Sequence, residues 1–203
     1  MYRYEGAENI DQYFLSREER KPRTVYMTYC SGYDGRGLEF LSHYYYESRK
    51  CGLYIRTTIA NPVESEVRYF FQTLGEGFSM SAEWFAGQMG LWEPKLSPNQ
   101  RQLTGEAMHQ TLRLLEERGT AGNILKNTYV KYMCWLRYKY EVLLYQLEGE
   151  TIPRVLYEGS PGKYEVYFLQ LLAMCGCDVV ITDPEGTGSP EKFREMAGAA
   201  GTV

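Results

Sequence analysis

The stretch from Arg154 to Pro184 limits the possible folds more than any other part of the chain. Arg154-Val-Leu-Tyr157 is a run of β-formers, Glu158-Gly-Ser-Pro-Gly-Lys163 a glycine-rich loop, Tyr164 to Met174 an apolar helical segment, and Asp178-Val-Val-Ile-Thr182 a second β run stopped by Asp183-Pro184. Strands that read as unbroken apolar runs are buried on both faces, and a strand, helix, strand succession of this length makes the strands parallel. The expected fold class is therefore α/β, with residues 149–203 starting a Rossmann-like βαβ unit. Ser189-Pro190-Glu191 caps one more helix before the sequence dissolves into Gly198-Ala-Ala-Gly-Thr-Val203. Two strands cannot make a covered sheet alone, so the unit looks incomplete. Either it completes a sheet begun earlier, or the chain is the front part of a longer protein.

A second unit of the same kind stands at the other end. Residues 8–21 form a short helix or an ordered arm. Thr24-Val-Tyr-Met-Thr-Tyr-Cys30 reads as a strand and Ser31-Gly-Tyr-Asp-Gly-Arg-Gly37 as a glycine-dense turn. Leu38, Phe40, Leu41, Tyr44, Tyr45 and Ser48 form a helical stripe ending at Gly52, and Leu53 to Ile59 reads as a strand stopped by Asn61-Pro62. Residues 1–62 thus look like an N-terminal βαβ unit with parallel strands and a right-handed connection.

Between them, residues 63–148 have helical spacing. One helix covers about 64–74 and closes at Gly75, and a short one after Ser81 carries Trp84 and Phe85. Ser97-Pro98 supplies an N-cap and a first-turn proline, with Leu103, Ala107, Thr111, Leu114 and Leu115 on one face before Gly119. A longer helix is expected from Asn123 to Leu147. Leu125, Tyr129, Tyr132, Leu136, Tyr140, Leu143 and Leu147 share its buried face, and Asn127, Lys131, Cys134, Tyr138, Glu141 and Tyr145 line the other. Gly149 to Pro153 reads as a linker.

Composition narrows the function classes. The net charge of −4 over 203 residues, with both signs interspersed, gives no field for nucleic acid or for an anionic membrane. No stretch is apolar enough to span a bilayer, and the acidic N-terminus lacks a signal peptide's core, so a cytoplasmic location is expected. Five cysteines, mostly inside apolar runs, suit reduced thiols. Cys175-Gly-Cys177 has no second pair to complete a metal cage, so no metal site is expected. The 19 tyrosines recur at helical spacing beside Leu and Met, which favours a core with wet aromatic rims over a docking surface.

The stretches Leu125-Lys-Asn-Thr-Tyr-Val-Lys-Tyr-Met-Cys-Trp-Leu-Arg-Tyr-Lys139, Ile152-Pro-Arg-Val-Leu-Tyr-Glu-Gly159 and Leu169 to Val180, supported by Ile59-Ala-Asn-Pro62, resemble the bacterial YceG-type family. The resemblance implies a component of a biosynthetic module in tellurite-resistance, or Ter-type, stress operons, with protein partners from the same operon. Members are typically much longer, so it also implies that these residues correspond to an N-terminal part. It carries over no catalytic residue and no cofactor, and it leaves enzymatic activity open.

The leading candidate site is the loop after the strand at 154–157. Gly159, Ser160 and Gly162 let backbone N–H groups approach a phosphate at the positive end of a helix, and Lys163 adds a charge. Asp183, at the end of the next strand, stands where dinucleotide-binding units place a carboxylate for ribose hydroxyls. The expected ligand is a nucleotide or nucleotide-sugar. Against this, Gly159-x-x-Gly162-Lys163 is neither a full dinucleotide fingerprint nor a phosphate loop, and Glu158 repels anions. A plain turn with a helix cap explains the same glycines. Weaker candidates are Ser31, Gly32, Gly35, Arg36 and Gly37 after the first strand, and the stripe Asn127, Lys131, Tyr138 and Glu141, which reads more simply as a solvated face. His43 and His109 each stand alone, and Cys30 and Cys134 read as small buried residues. The competing functional reading is a noncatalytic assembly module that docks through its tyrosine-rich helices.

Overall fold

The computed structural model describes residues 1–30, 35–74, 77–184, 188, 190–197 and 201–202. The chain divides into two compact units, one of residues 1–59 and 146–203, the other of residues 60–145.

The first unit is built on one parallel sheet. Its strands are β1 (Arg3–Glu5), β2 (Thr24–Cys30), β3 (Gly52–Arg56), β4 (Arg154–Glu158), β5 (Asp178–Thr182) and β6 (Gly201–Thr202). The order is β1-β2-β5-β4-β3, with β6 beside the second half of β2, and all pairings are parallel. The two βαβ segments read from the sequence therefore share a single sheet. Within it β2 and β3 are parallel as expected but are not neighbours, because β5 and β4 lie between them. Burial explains the order. Every residue of β2 and β5 is buried, whereas β3 is mostly half-exposed, and the strands that most need cover on both faces take the centre. The tail also does more than dissolve, since Gly201 and Thr202 pair with Thr28 and Tyr29.

Helix α1 (Gly35–Lys50) covers one face, where Phe40 and Tyr44 join Tyr13 against Tyr26, Cys30, Leu156 and Val180. The alternate residues of the same strands point to the other face. There α7 (Lys163–Met174) and α8 (Pro190–Ala197) lie together: Phe193 packs on Tyr29 with ring centroids 5.3 Å apart, and Gln170 of α7 donates to the Met196 carbonyl. From Val166 to Met174 every residue of α7 is buried, as expected of a helix apolar on all sides. At the amino end of the sheet Arg20 forks onto Asp178 at 2.7 and 2.8 Å, and Tyr26 N–H donates to the same carboxylate. Both side chains are buried.

Strand β3 stops at Arg56, three residues earlier than its sequence suggests. Thr57 has φ of +68°, unusual for a β-branched residue, and Glu165 captures the Thr58 hydroxyl and the Ile59 amide instead of a strand neighbour.

The second unit contains α2 (Glu64–Leu74), α3 (Ala82–Trp92), α4 (Pro98–Glu117), α5 (Gly122–Cys134) and most of α6 (Glu141–Gln146). Ser97 and Gln100 form the capping box that opens α4. Helices α3 and α4 touch at Gly105, where a Cβ would lie 2.5 Å from the Ala86 nitrogen, so only glycine permits that approach. The single helix expected over 123–147 is interrupted. Trp135–Lys139 is a π-helical turn, and Tyr140 leaves helical geometry before α6. The wider turn lets the Trp135 indole donate to the Ala60 carbonyl at 3.0 Å and directs Arg137 to the Trp92 carbonyl. It also disturbs the expected stripe: Cys134, placed on the polar face by periodicity, is buried, while Tyr140 is half-exposed.

Tyr13, Tyr44, Tyr129, Tyr132, Tyr157 and Tyr167 are fully buried, whereas Tyr45, Tyr46, Tyr69, Tyr138 and Tyr145 reach solvent. Among the described residues no helix is long and apolar enough to cross a membrane, and no group of three or more His, Cys, Asp or Glu side chains could hold a metal ion.

Candidate functional site

In open parallel sheets ligands bind beyond the carboxyl ends of the strands, where neighbouring strands send their connections to opposite faces. Here β2 leads into α1 on one face and its neighbour β5 leads into α8 on the other, so this switch point lies between them. Tyr29, Asp183 and Gly188 meet at that edge. The Tyr29 hydroxyl donates to Asp183 at 3.1 Å, and the Gly188 amide donates to the same carboxylate oxygen. Asp183 is buried, and a Cβ on Gly188 would lie 3.0 Å from the Ser160 hydroxyl, which puts Ser160 at the same place.

The loop after β4 arrives beside it. The Gly159 amide donates to the Thr182 carbonyl at 2.7 Å, and Gly159 has φ of +138°. A Cβ there would stand 2.9 Å from the Thr57 carbonyl, so glycine is required both by conformation and by space. Ser160 and Gly162 are exposed. At the start of α7, Glu165 accepts from the Gly162 amide at 2.8 Å, and its other oxygen holds Thr58 and Ile59. A carboxylate of the chain itself thus takes one donor of the α7 N-terminus and ties the loops after β3 and β4 together. Lys163 is exposed, with its ammonium 5.9 Å from the Tyr164 ring centroid. On the strand behind, Glu158 accepts from Tyr54 at 2.6 Å and lies 3.6 Å from Arg56; burial, then the Glu158 contact, push the Tyr54 phenol up to about 12.

The structure therefore brings Gly159, Ser160 and Asp183 to one edge, adds Tyr29 to them, and leaves Lys163 on the solvent side of the helix start. A family model, the YceG domain, matches residues 80–197. The chain belongs to the YceG family. The matched YceG segment contains Gly159, Ser160, Gly162, Lys163 and Asp183 but not Tyr29. No curated protein and no solved structure matches the chain.

The weaker candidates separate. Residues 31–34 lie outside the described residues, and Arg36 pairs with Asp11 at 3.3 Å across a shallow cleft where His43 stacks on Phe14. Asn127 and Lys131 are not among the residues that line the cleft bordered by Tyr138 and Glu141, and the Lys131 ammonium sits 4.7 Å over the Trp135 ring. Tyr138 and Glu141 do border a cleft of about 380 Å³ within the helical part of the YceG match, together with Trp92, Glu93, Arg137 and Tyr145. Glu93, Arg137 and Lys95 carry no local pattern that would single them out in the sequence. Only the π turn and the bend after α3 assemble them.

Proposed function

We propose that this YceG-family chain binds a nucleotide or nucleotide-sugar at the carboxyl edge of its parallel sheet and serves a bacterial stress-response biosynthetic module of the tellurite-resistance type. The observation that carries the ligand reading is the switch point between β2 and β5, with the Asp183 carboxylate held there by Tyr29 and Gly188. In this reading Ser160 and Lys163 meet the phosphates or the sugar. Asp183 accepts a ribose hydroxyl in exchange for the Gly188 amide, a substitution of one donor for another that costs little. Gly159 and Gly162 keep the loop low enough for the ligand to approach. Glu165 disfavours a phosphate on the helix axis itself, and this supports a reading with the phosphates toward Ser160 and Lys163.

The test is a thermal-shift and calorimetric screen of nucleotides and nucleotide-sugars, with and without magnesium. A ligand at 100 times its dissociation constant stabilises by about 2.7 kcal/mol. Lys163→Ala and Ser160→Ala alter exposed side chains, so they should leave the unliganded melting temperature unchanged and abolish the shift. An equal shift in both variants would refute the assignment. The alternative, an assembly module, draws its support from Tyr45 and Tyr46, which are 42% and 61% exposed on α1. Tyr129 and Tyr132, by contrast, are buried and unavailable for docking. Tyr45→Ala with Tyr46→Ala should break a pull-down of operon partners if that reading holds.

A further inference from the structure

The cleft in the helical unit is chemically unlike the sheet edge. Glu93 begins the bend after α3 with a side chain only 6% exposed, and Arg137 from the π turn approaches it at 3.5 Å. From α6, the Tyr145 hydroxyl lies 3.1 Å from Glu93 and 2.9 Å from Glu141. A phenol carries one proton and can donate to only one of these carboxylates. It serves the nearer one, Glu141, while Arg137 faces the Glu93 carboxylate. Burial pushes the Glu93 carboxyl upward, the Tyr145 hydroxyl, Arg137 and Lys95 draw it down, and Glu141 is the other charge that faces it. The exposed end of the chain of bonds is then Glu141, an acceptor at the mouth.

The lining selects a class of ligand. Two carboxylates, Glu93 and Glu141, face two cations, Arg137 and Lys95, among the rings of Trp92, Tyr138 and Tyr145. A phosphorylated anion meets the acids, and a polyamine meets the bases. A neutral molecule whose hydroxyl groups both donate and accept satisfies carboxylate, guanidinium and ammonium at once, and its C–H face suits aromatic walls. The volume of about 380 Å³ falls in the range of small-molecule sites. We propose that this cleft is a second binding site, distinct from the sheet edge and independent of the nucleotide reading, and that it takes a neutral, hydroxyl-rich ligand of the sugar class. Glu141 and Arg137 hold its hydroxyl groups, Tyr138 and Tyr145 flank its ring, and Tyr145 fixes Glu141 as an acceptor.

Saturation-transfer NMR on the full chain tests this with methyl glucoside, methyl galactoside, methyl mannoside and myo-inositol as neutral probes, and glucose 1-phosphate and spermidine as charged ones. At least one neutral probe should bind and quench Trp92 fluorescence. Glu141→Gln and Tyr145→Phe, each shown by circular dichroism to be folded, should weaken it about tenfold, the loss expected for a hydrogen bond to a charged group. Asp183→Asn should leave it unchanged. Binding of none of the neutral probes, binding indifferent to both cleft variants, or binding lost in Asp183→Asn alone would overturn the proposal. So would tighter binding of a charged probe at the same residues.

Discussion

Replacing Asp178 by alanine isolates the polar contact on which the sheet unit most depends. Its carboxylate accepts two bonds from Arg20 and one from Tyr26 N–H, with both side chains of the ion pair buried. Removing it leaves a guanidinium in the interior with only the Leu15 and Tyr13 carbonyls as acceptors. Breaking a buried pair from one side costs about 3–5 kcal/mol, and an unpaired buried amide costs about 1–3 kcal/mol. Both losses come from one carboxylate and overlap, so about 4 kcal/mol is expected, a large share of the roughly 5–15 kcal/mol that stabilises an ordinary domain. The three tryptophans, Trp84, Trp92 and Trp135, all belong to the helical unit. Urea unfolding should therefore be followed by circular dichroism at a strand-sensitive wavelength and by tryptophan fluorescence separately. Arg20→Met combined with Asp178→Leu replaces the pair by apolar groups and should recover more than half of the loss, as uncompensated charge rather than the missing attraction is the main penalty. A loss below about 1 kcal/mol for Asp178→Ala, or a double variant no better than the single one, would refute the reasoning.

Three further outcomes follow from the same contacts. Gly159→Ala forces a Cβ against the Thr57 carbonyl at a left-handed φ and should cost about 2 kcal/mol in urea unfolding; a neutral substitution would show that the loop is free to shift. Burial raises the thiols of Cys30 to about 11 and Cys134 to about 12 and holds Cys177 well above the ordinary value, while Cys51 is only half-buried. In the native protein a thiol reagent should therefore modify Cys51 first and slowly, and rapid modification of two or more thiols would contradict the burial pattern. Because Glu93 is raised in the folded state, folding binds a proton between the ordinary glutamate value of about 4.3 and the raised one. Wild-type stability relative to Glu93→Gln should fall as pH rises through that window and level off above it; a difference that rises with pH would reverse the assignment.

Local chemistry made much of this protein legible. The β runs at 24–30, 154–157 and 178–182, the Ser97 capping box and the position of Asp183 at a strand end depend on residues within a few positions of one another. Propensity, capping and period therefore fixed them in the sequence. The glycines after β4 were visible as a turn, but the reason for Gly159 was not, because its constraint is the carbonyl of Thr57 from the loop after β3. The same holds for Tyr29, which joins Asp183 across two strands with no spacing rule to connect them.

Strand order belongs entirely to the tertiary structure. Residues 24–30 and 53–59 announced a βαβ unit, yet nothing local says that β5 and β4 will enter between them, a choice made by which strands have two apolar faces to cover. The π turn at Trp135–Lys139 is a similar case. Periodicity in 123–147 described one continuous helix, and it is the distant acceptors at Ala60 and Trp92 that draw Trp135 and Arg137 out of register. The sequence by itself determined four of the six strands, most of the helices, the α/β class and the family. The structure alone decided which side chains meet at the sheet edge and around Glu93, because those encounters depend on burial and on hydrogen-bond partners far apart in the chain.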